Sequence, residues 1–84
     1  MDKAQLDRLA AFFKNDRFAT RAGAELVEMS EGHAVVEMRL TPDHWNALDS
    51  VQGGAIFTLA DFAFAIAATS YGTAAVAVNV TTVL

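Results

Sequence analysis

One stretch limits the choice of fold more than any other: VQGGAIFTLADFAFAIAATSY, from Val51 to Tyr71. Between Gly54 and Ala68 nearly every position is apolar, whichever helical face is drawn, and Asp61 is the single charge. A helix apolar on all sides needs cover on all sides, so the rest of the chain is expected to wrap it. A carboxylate in such a setting is costly unless it is hydrogen-bonded, paired or protonated. Asp61 is therefore the leading functional candidate.

The chain has 84 residues, enough for one domain. A domain of that size leaves roughly a third or more of its unfolded-chain surface exposed, yet 54% of these residues are hydrophobic. That excess predicts a homo-oligomer, which buries apolar patches by symmetry. A net charge of -4 and the lack of any Lys/Arg cluster argue against nucleic-acid binding. Without cysteine there is no disulfide, zinc ribbon or thiol nucleophile, and no metal or cofactor site is expected. The opening MDKAQLDRLAAFFKND carries Asp2 and Asp7 and no long apolar run, unlike a signal peptide, so the cytoplasm is the expected compartment. Gly54–Gly72 approaches the length of a membrane span. Its central Asp61, its alanine content and the absence of a basic flank argue against that reading.

The remaining elements follow in order. Asp2 is placed to cap a first helix whose apolar stripe is Leu6, Leu9, Ala10 and Phe13, with Asn15-Asp16 ending it. A short connector leads to Gly23. Ala24–Met29 and His33–Leu40 then read as a hairpin around Ser30-Glu31-Gly32. In its second strand Val36, Met38 and Leu40 share one face, and Val35, Glu37 and Arg39 the other. TPDHWNALDS, from Thr41 to Ser50, is a loop carrying His44, Trp45, Asn46 and Asp49, and loops on a rigid scaffold are where binding groups concentrate. After the central helix, Tyr71-Gly72-Thr73 is a turn, and the β-branched run Ala74–Leu84 reads as a buried strand beginning near Val76.

Gln52, Gly53 and Gly54 stand at the helix start. The first N–H groups of a helix lack intrahelical partners and the macrodipole adds partial positive charge there, which outlines an oxyanion receptor. The same pair of glycines also suits a tight chain entry or close packing. Gly54, Thr58, Asp61, Ala65 and Ala68 fall on one side of the helix at steps of three or four, a small or polar stripe fit for a groove or a second helix. Phe57, Phe64 and Tyr71, with Phe62 and Ile66 nearby, read as core packing. Gly53 and Asp61 are eight residues apart, about 12 Å along a helix axis, whereas a base and an oxyanion donor must lie within about 3 Å of one reacting group. One subunit cannot place both on the same carbonyl. Two helices antiparallel across a two-fold axis would bring Gly53 of one level with Asp61 of the other. A purely structural Asp61, bonded to a neighbouring hydroxyl or capping a partner loop, is the competing reading.

The pattern HxN(x5)QGGAIFTLAD, from His44 to Asp61, resembles the hotdog-fold thioesterases, in particular the PaaI-type acyl-CoA thioesterases of phenylacetate breakdown. The similarity covers most of Gly23–Leu84. It implies an α+β hotdog fold, in which a long central helix is wrapped by an antiparallel β-sheet, and two subunits that join into a homodimer or, by pairing dimers, a homotetramer. It implies that Asp61 acts as general base or nucleophile toward the thioester carbonyl, that the Gly53 backbone N–H polarises that carbonyl, and that Asn46 of the opposite subunit lies near the attacking group. Gln52, Gly54, His44 and Thr58 are the expected substrate-binding residues. The pattern departs from the family at Gln52, where His is usual, and at Asp49, where Gly is usual. Gln still donates a hydrogen bond but does not titrate near neutral pH, and Asp tolerates the left-handed turn that Gly favours. Family members continue past the position of Leu84 with further strands. The resemblance therefore implies a single domain over residues 1–84 that lacks the last strands, with the central helix partly uncovered.

The function expected on these grounds is hydrolysis of an acyl-CoA thioester, aryl-acetyl or medium-chain, to free acid and CoA. A non-catalytic acyl-CoA sensor on the same fold is the alternative, though a pure binder has no use for a buried Asp61 opposite an oxyanion receptor. A hotdog dehydratase would want a His base in the helix region, and His33 and His44 both precede it.

Overall fold

A computed structural model describes residues 2–72; the strand expected over Ala74–Leu84 lies outside them. Helix α1 (Lys3–Phe13) starts where Asp2 and Gln5 cap each other: the Asp2 carboxylate accepts from the Gln5 N–H at 2.8 Å, and Gln5 Oε1 accepts from the Asp2 N–H at 3.0 Å. Two otherwise orphaned donors are satisfied reciprocally. The expected stripe faces inward, with Phe13 buried and Leu6 and Leu9 packed against the core.

The stretch expected to be a connector is instead a second helix, α2 (Arg17–Ala22). Asp16 caps it by accepting from the Ala19 N–H at 3.0 Å, and Gly23 closes it in the left-handed conformation, φ 99°. Six residues of helix are marginal alone; here Ala19, 2% exposed, anchors α2 to the core.

Strands β1 (Ala24–Ser30) and β2 (His33–Met38) form the expected antiparallel hairpin about Glu31-Gly32. Leu26 pairs with Val36 but Glu28 pairs with Val35, so Val27 is an extra residue. Strict alternation would send Ala24 and Met29, five apart, to opposite faces. The bulge resets the count by one, so both are buried while Val27 points outward. In β2, Ala34, Val36 and Met38 face the core and His33, Val35 and Glu37 face outward. Leu40 does not extend that inner face: it lies past the strand end and is 46% exposed.

Helix α3 (Gly53–Thr69) lies across both strands, mainly β2. Its C-terminal end is tied to the hairpin: the Gly32 N–H donates to Ser70 Oγ at 2.7 Å, and that hydroxyl donates to the Ala67 carbonyl at 2.6 Å. The core consists of Phe13, Ala19, Ala24, Met29, Phe62 and Ile66, with Leu59 and Ala65 packed against it. The rings of Phe13 and Phe62 meet edge to face at 6.2 Å, an arrangement that favours contact between a ring's positive edge and a neighbour's negative face.

One expectation for this helix needs correction. Phe57, Phe64 and Tyr71 are not core residues; they are 38%, 50% and 65% exposed. Among the described residues, only Phe62 and Ile66 are fully buried on it. Among the described residues, the hairpin packs against one side of the helix. Among the described residues, no helix is long and apolar enough to cross a membrane.

Candidate functional site

The head of α3 is built by the loop that precedes it. Gln52 is its N-cap in extended conformation, and its side chain makes no capping bond. Its N–H donates to the His44 carbonyl at 2.7 Å, and its own carbonyl accepts from the Ala55 N–H at 2.9 Å. Among the described residues, neither the Gly53 nor the Gly54 N–H has a hydrogen-bond acceptor. Bare donors at the positive end of a 17-residue helix are suited to an anion or an oxyanion.

The loop itself is closely bonded. Pro42–His44 forms a short 3-10 turn, and Trp45 bridges to Val51. Asn46 Oδ1 accepts from the N–H groups of Leu48 at 2.9 Å and Ser50 at 3.1 Å. These bonds assign the amide orientation: the Asn46 carbonyl holds the loop and its NH₂ is left to donate elsewhere. Asp49 adopts the left-handed conformation at φ 59°, which a short polar side chain tolerates. The His44 ring joins the loop to α2. Its Nδ1 accepts from the Thr41 N–H at 2.9 Å, and its Nε2 faces the Ala22 carbonyl. A carbonyl only accepts and an amide N–H only donates, so these contacts assign the donor role to Nε2 and the acceptor role to Nδ1.

Below the loop opens a cleft of about 1510 Å³ between α2, the exit of β2 and the N-terminal half of α3. Gln52, Gly54, Thr58 and Asp61 line it from α3 and its cap, and His44 lines it from the loop. Asp61 is half-buried and, among the described residues, has no ion-pair or hydrogen-bond partner. Thr58 donates to the Gly54 carbonyl at 2.7 Å, so toward the cleft its hydroxyl offers an acceptor rather than a donor. Five acidic side chains on the wall (Asp16, Glu25, Glu37, Asp43, Asp61) face two basic ones (Arg21, Arg39).

Gly53 and Asn46, the remaining candidates, do not line this cleft. Gly53 and Asp61 lie in one uninterrupted helix, so the separation of about 12 Å along its axis holds within a single chain. The cleft also contains Phe57, which the spacing in sevens had assigned to the core. The signal was present: Gly54, Phe57, Thr58 and Asp61 follow the steps 0, 3, 4, 7 that mark one helical face. Arg21, Arg39 and Met38 are further lining residues whose position depends on how α2 and the hairpin pack, and no local pattern announces them.

No family model matches the chain. Among known proteins it is 46% identical over 68 residues to a protein of Archaeoglobus fulgidus provisionally named an esterase, covering 81% of this chain and 44% of that one. It is 46% identical over 67 residues to the acyl-coenzyme A thioesterase PaaI of Escherichia coli, covering 80% of this chain and 48% of that enzyme. The solved structure of the E. coli PaaI protein, from the phenylacetic acid degradation operon, superimposes with a TM-score of 0.81 at 41% identity, covering 89% of this chain and 54% of that one. The chain thus spans about half the length of the relatives it matches. It resembles PaaI-type hotdog thioesterases in sequence, and α3 on its antiparallel hairpin has the hotdog arrangement.

Proposed function

We propose that this chain acts in the hydrolysis of an acyl-CoA thioester to a free acid and CoA. The observation that carries the proposal is Asp61: the one charge of an apolar helix, half-buried on the wall of a cleft, in a chain 46% identical over 67 residues to an acyl-CoA thioesterase. In this reading the Asp61 carboxylate either takes a proton from an attacking water or attacks the carbonyl carbon itself. The carbonyl oxygen becomes an oxyanion, stabilised by the N–H of Gly53 at the positive end of α3. Collapse of the tetrahedral intermediate breaks the C–S bond, and the CoA thiolate leaves and takes up a proton; where Asp61 itself has attacked, water then cleaves the acyl–Asp61 anhydride, which releases the acid and restores the carboxylate.

The helix geometry supports a site shared between two copies. Since one α3 holds Gly53 and Asp61 about 12 Å apart, the reacting carbonyl uses Asp61 of one protomer with Gly53 and Asn46 of another. The Asn46 NH₂, which has no acceptor among the described residues, is the group this role needs, a donor held by a carbonyl already committed to the loop. The cleft suits the acyl end of the substrate better than its phosphates: its wall is mainly acidic, while Phe57 and Met38 supply apolar contact. The E. coli relative comes from a phenylacetic acid operon, which together with Phe57 favours an aryl-acetyl or medium-chain group.

The test is thiol release from a panel of CoA esters, followed by mixing two inactive variants, Asp61→Asn and Asn46→Ala. If each site draws on two protomers, random re-pairing restores about a quarter of wild-type activity, from heterodimers that hold one intact site. Active unmixed variants, or mixtures that stay inactive after verified subunit exchange, would overturn the shared site. Saturable ester binding with no thiol released would identify a binding module instead.

A further inference from the structure

We propose that His44 is a positioning residue, whose ring pins the loop of residues 41–51 to the end of α2 and thereby sets the Gln52 and Gly53 amides at the head of α3. A histidine that contacts substrate needs a ring nitrogen free to do so, and His44 has neither. Nδ1 is taken by the Thr41 N–H, at 2.9 Å, and Nε2–H by the Ala22 carbonyl. That carbonyl ends α2, where helix carbonyls have no intrahelical donor and carry partial negative charge. The backbone of the same residue completes the junction. The His44 N–H donates to the Thr41 carbonyl at 2.9 Å, and the His44 carbonyl receives the Gln52 N–H at 2.7 Å. One residue therefore joins the β2 exit, the α2 terminus and the α3 N-cap.

The Gln52 bond gives this junction a chemical consequence. Gln52 has no side-chain cap to hold its conformation, so its anchor on the loop is the His44 carbonyl. Removing the ring frees that carbonyl to drift, and the Gly53 N–H turns with the cap. The catalytic part of the inference rests on the thioesterase reading above, in which Gly53 polarises the carbonyl. The structural part, that the ring orients the two amides, stands apart from it.

Three substitutions in the full chain separate these roles. His44→Ala removes both ring bonds; His44→Gln keeps an N–H donor near the Nε2 position, and His44→Asn keeps an acceptor near Nδ1. A displaced oxyanion donor weakens only the transition state, so His44→Ala is expected to lower kcat about tenfold or more with KM within about twofold. His44→Gln or His44→Asn recovers part of that loss. Independently of turnover, nitrogen NMR of the wild-type ring should show the Nε2–H tautomer, and His44→Ala should shift the Gln52 and Gly53 amide resonances. A rise in KM at unchanged kcat would make His44 a substrate contact and overturn the proposal, as would an Nδ1–H tautomer or unmoved amides. If His44→Ala does not fold, the Gln and Asn variants, each keeping one bond, carry the same comparison. A wild-type chain that hydrolyses no ester would defeat the thioesterase reading alone, because the NMR results still decide whether His44 positions the amides.

Discussion

Asp61→Asn gives the most direct reading of the chemistry, because the structure sets its two effects far apart in size. The substitution keeps shape and removes the charge. Loss of a positioned acid–base or nucleophilic group costs about 10²–10⁴ in rate, equivalent to about 3–5 kcal/mol of barrier at 1.36 kcal/mol per decade. The fold has little to lose by comparison. Asp61 is half-buried and has no ion-pair or hydrogen-bond partner among the described residues, so the substitution gives up no polar contact with any of them. Stability should stay within about 1 kcal/mol of wild type, or rise. Single-turnover thiol release measures the first effect and denaturant unfolding the second. A variant retaining at least a third of wild-type kcat would take Asp61 out of the reaction. A variant that loses activity only because it unfolds would make Asp61 a structural residue and refute the account of its surroundings.

Ile66, 0% exposed at the centre of the α3 contact, provides the packing yardstick: Ile66→Ala deletes three buried carbons and should cost about 2–5 kcal/mol in denaturant unfolding, partly offset by about 0.4 kcal/mol of helix propensity. Gly32→Ala should destabilise by about 1–2 kcal/mol, since the turn holds φ at 72°, and the added methyl also meets the Tyr71 ring. Truncating Tyr71 in the same chain should relieve the collision and leave the backbone penalty, a division that a double-mutant cycle of melting curves measures directly.

Much of the framework is legible because it is local. Asp2 with Gln5 spells a helix start, and Ser30-Glu31-Gly32 between two β-prone runs spells a hairpin, since the interacting groups lie within a few residues of each other. Helix α2 escaped this reading although Asp16 and Gly23 bracket it; six residues carry too short an apolar period to register, and the burial of Ala19 that stabilises them is a long-range contact. The odd spacing of Ala24 and Met29 foreshadows the Val27 bulge only once both are known to be buried. The role of the His44 ring lay further out of reach, because its partners at Thr41 and Ala22 are backbone groups that every residue possesses.

For α3 the division between sequence and tertiary structure is clearest. Its length, its near-complete lack of charge, the position of Asp61 and the glycine start are properties of the chain alone, and they point to one helix that needs cover and carries one candidate carboxylate. Which side of that helix faces inward is not written in it. An ordinary amphipathic helix is oriented by the contrast between its two faces, but a helix apolar all round has little contrast to turn it. Contact with Phe13 on α1 and Met29 on β1 selected Phe62 and Ile66 for the interior. The same rotation left Phe64 toward solvent and set Phe57 beside Asp61 on the cleft wall.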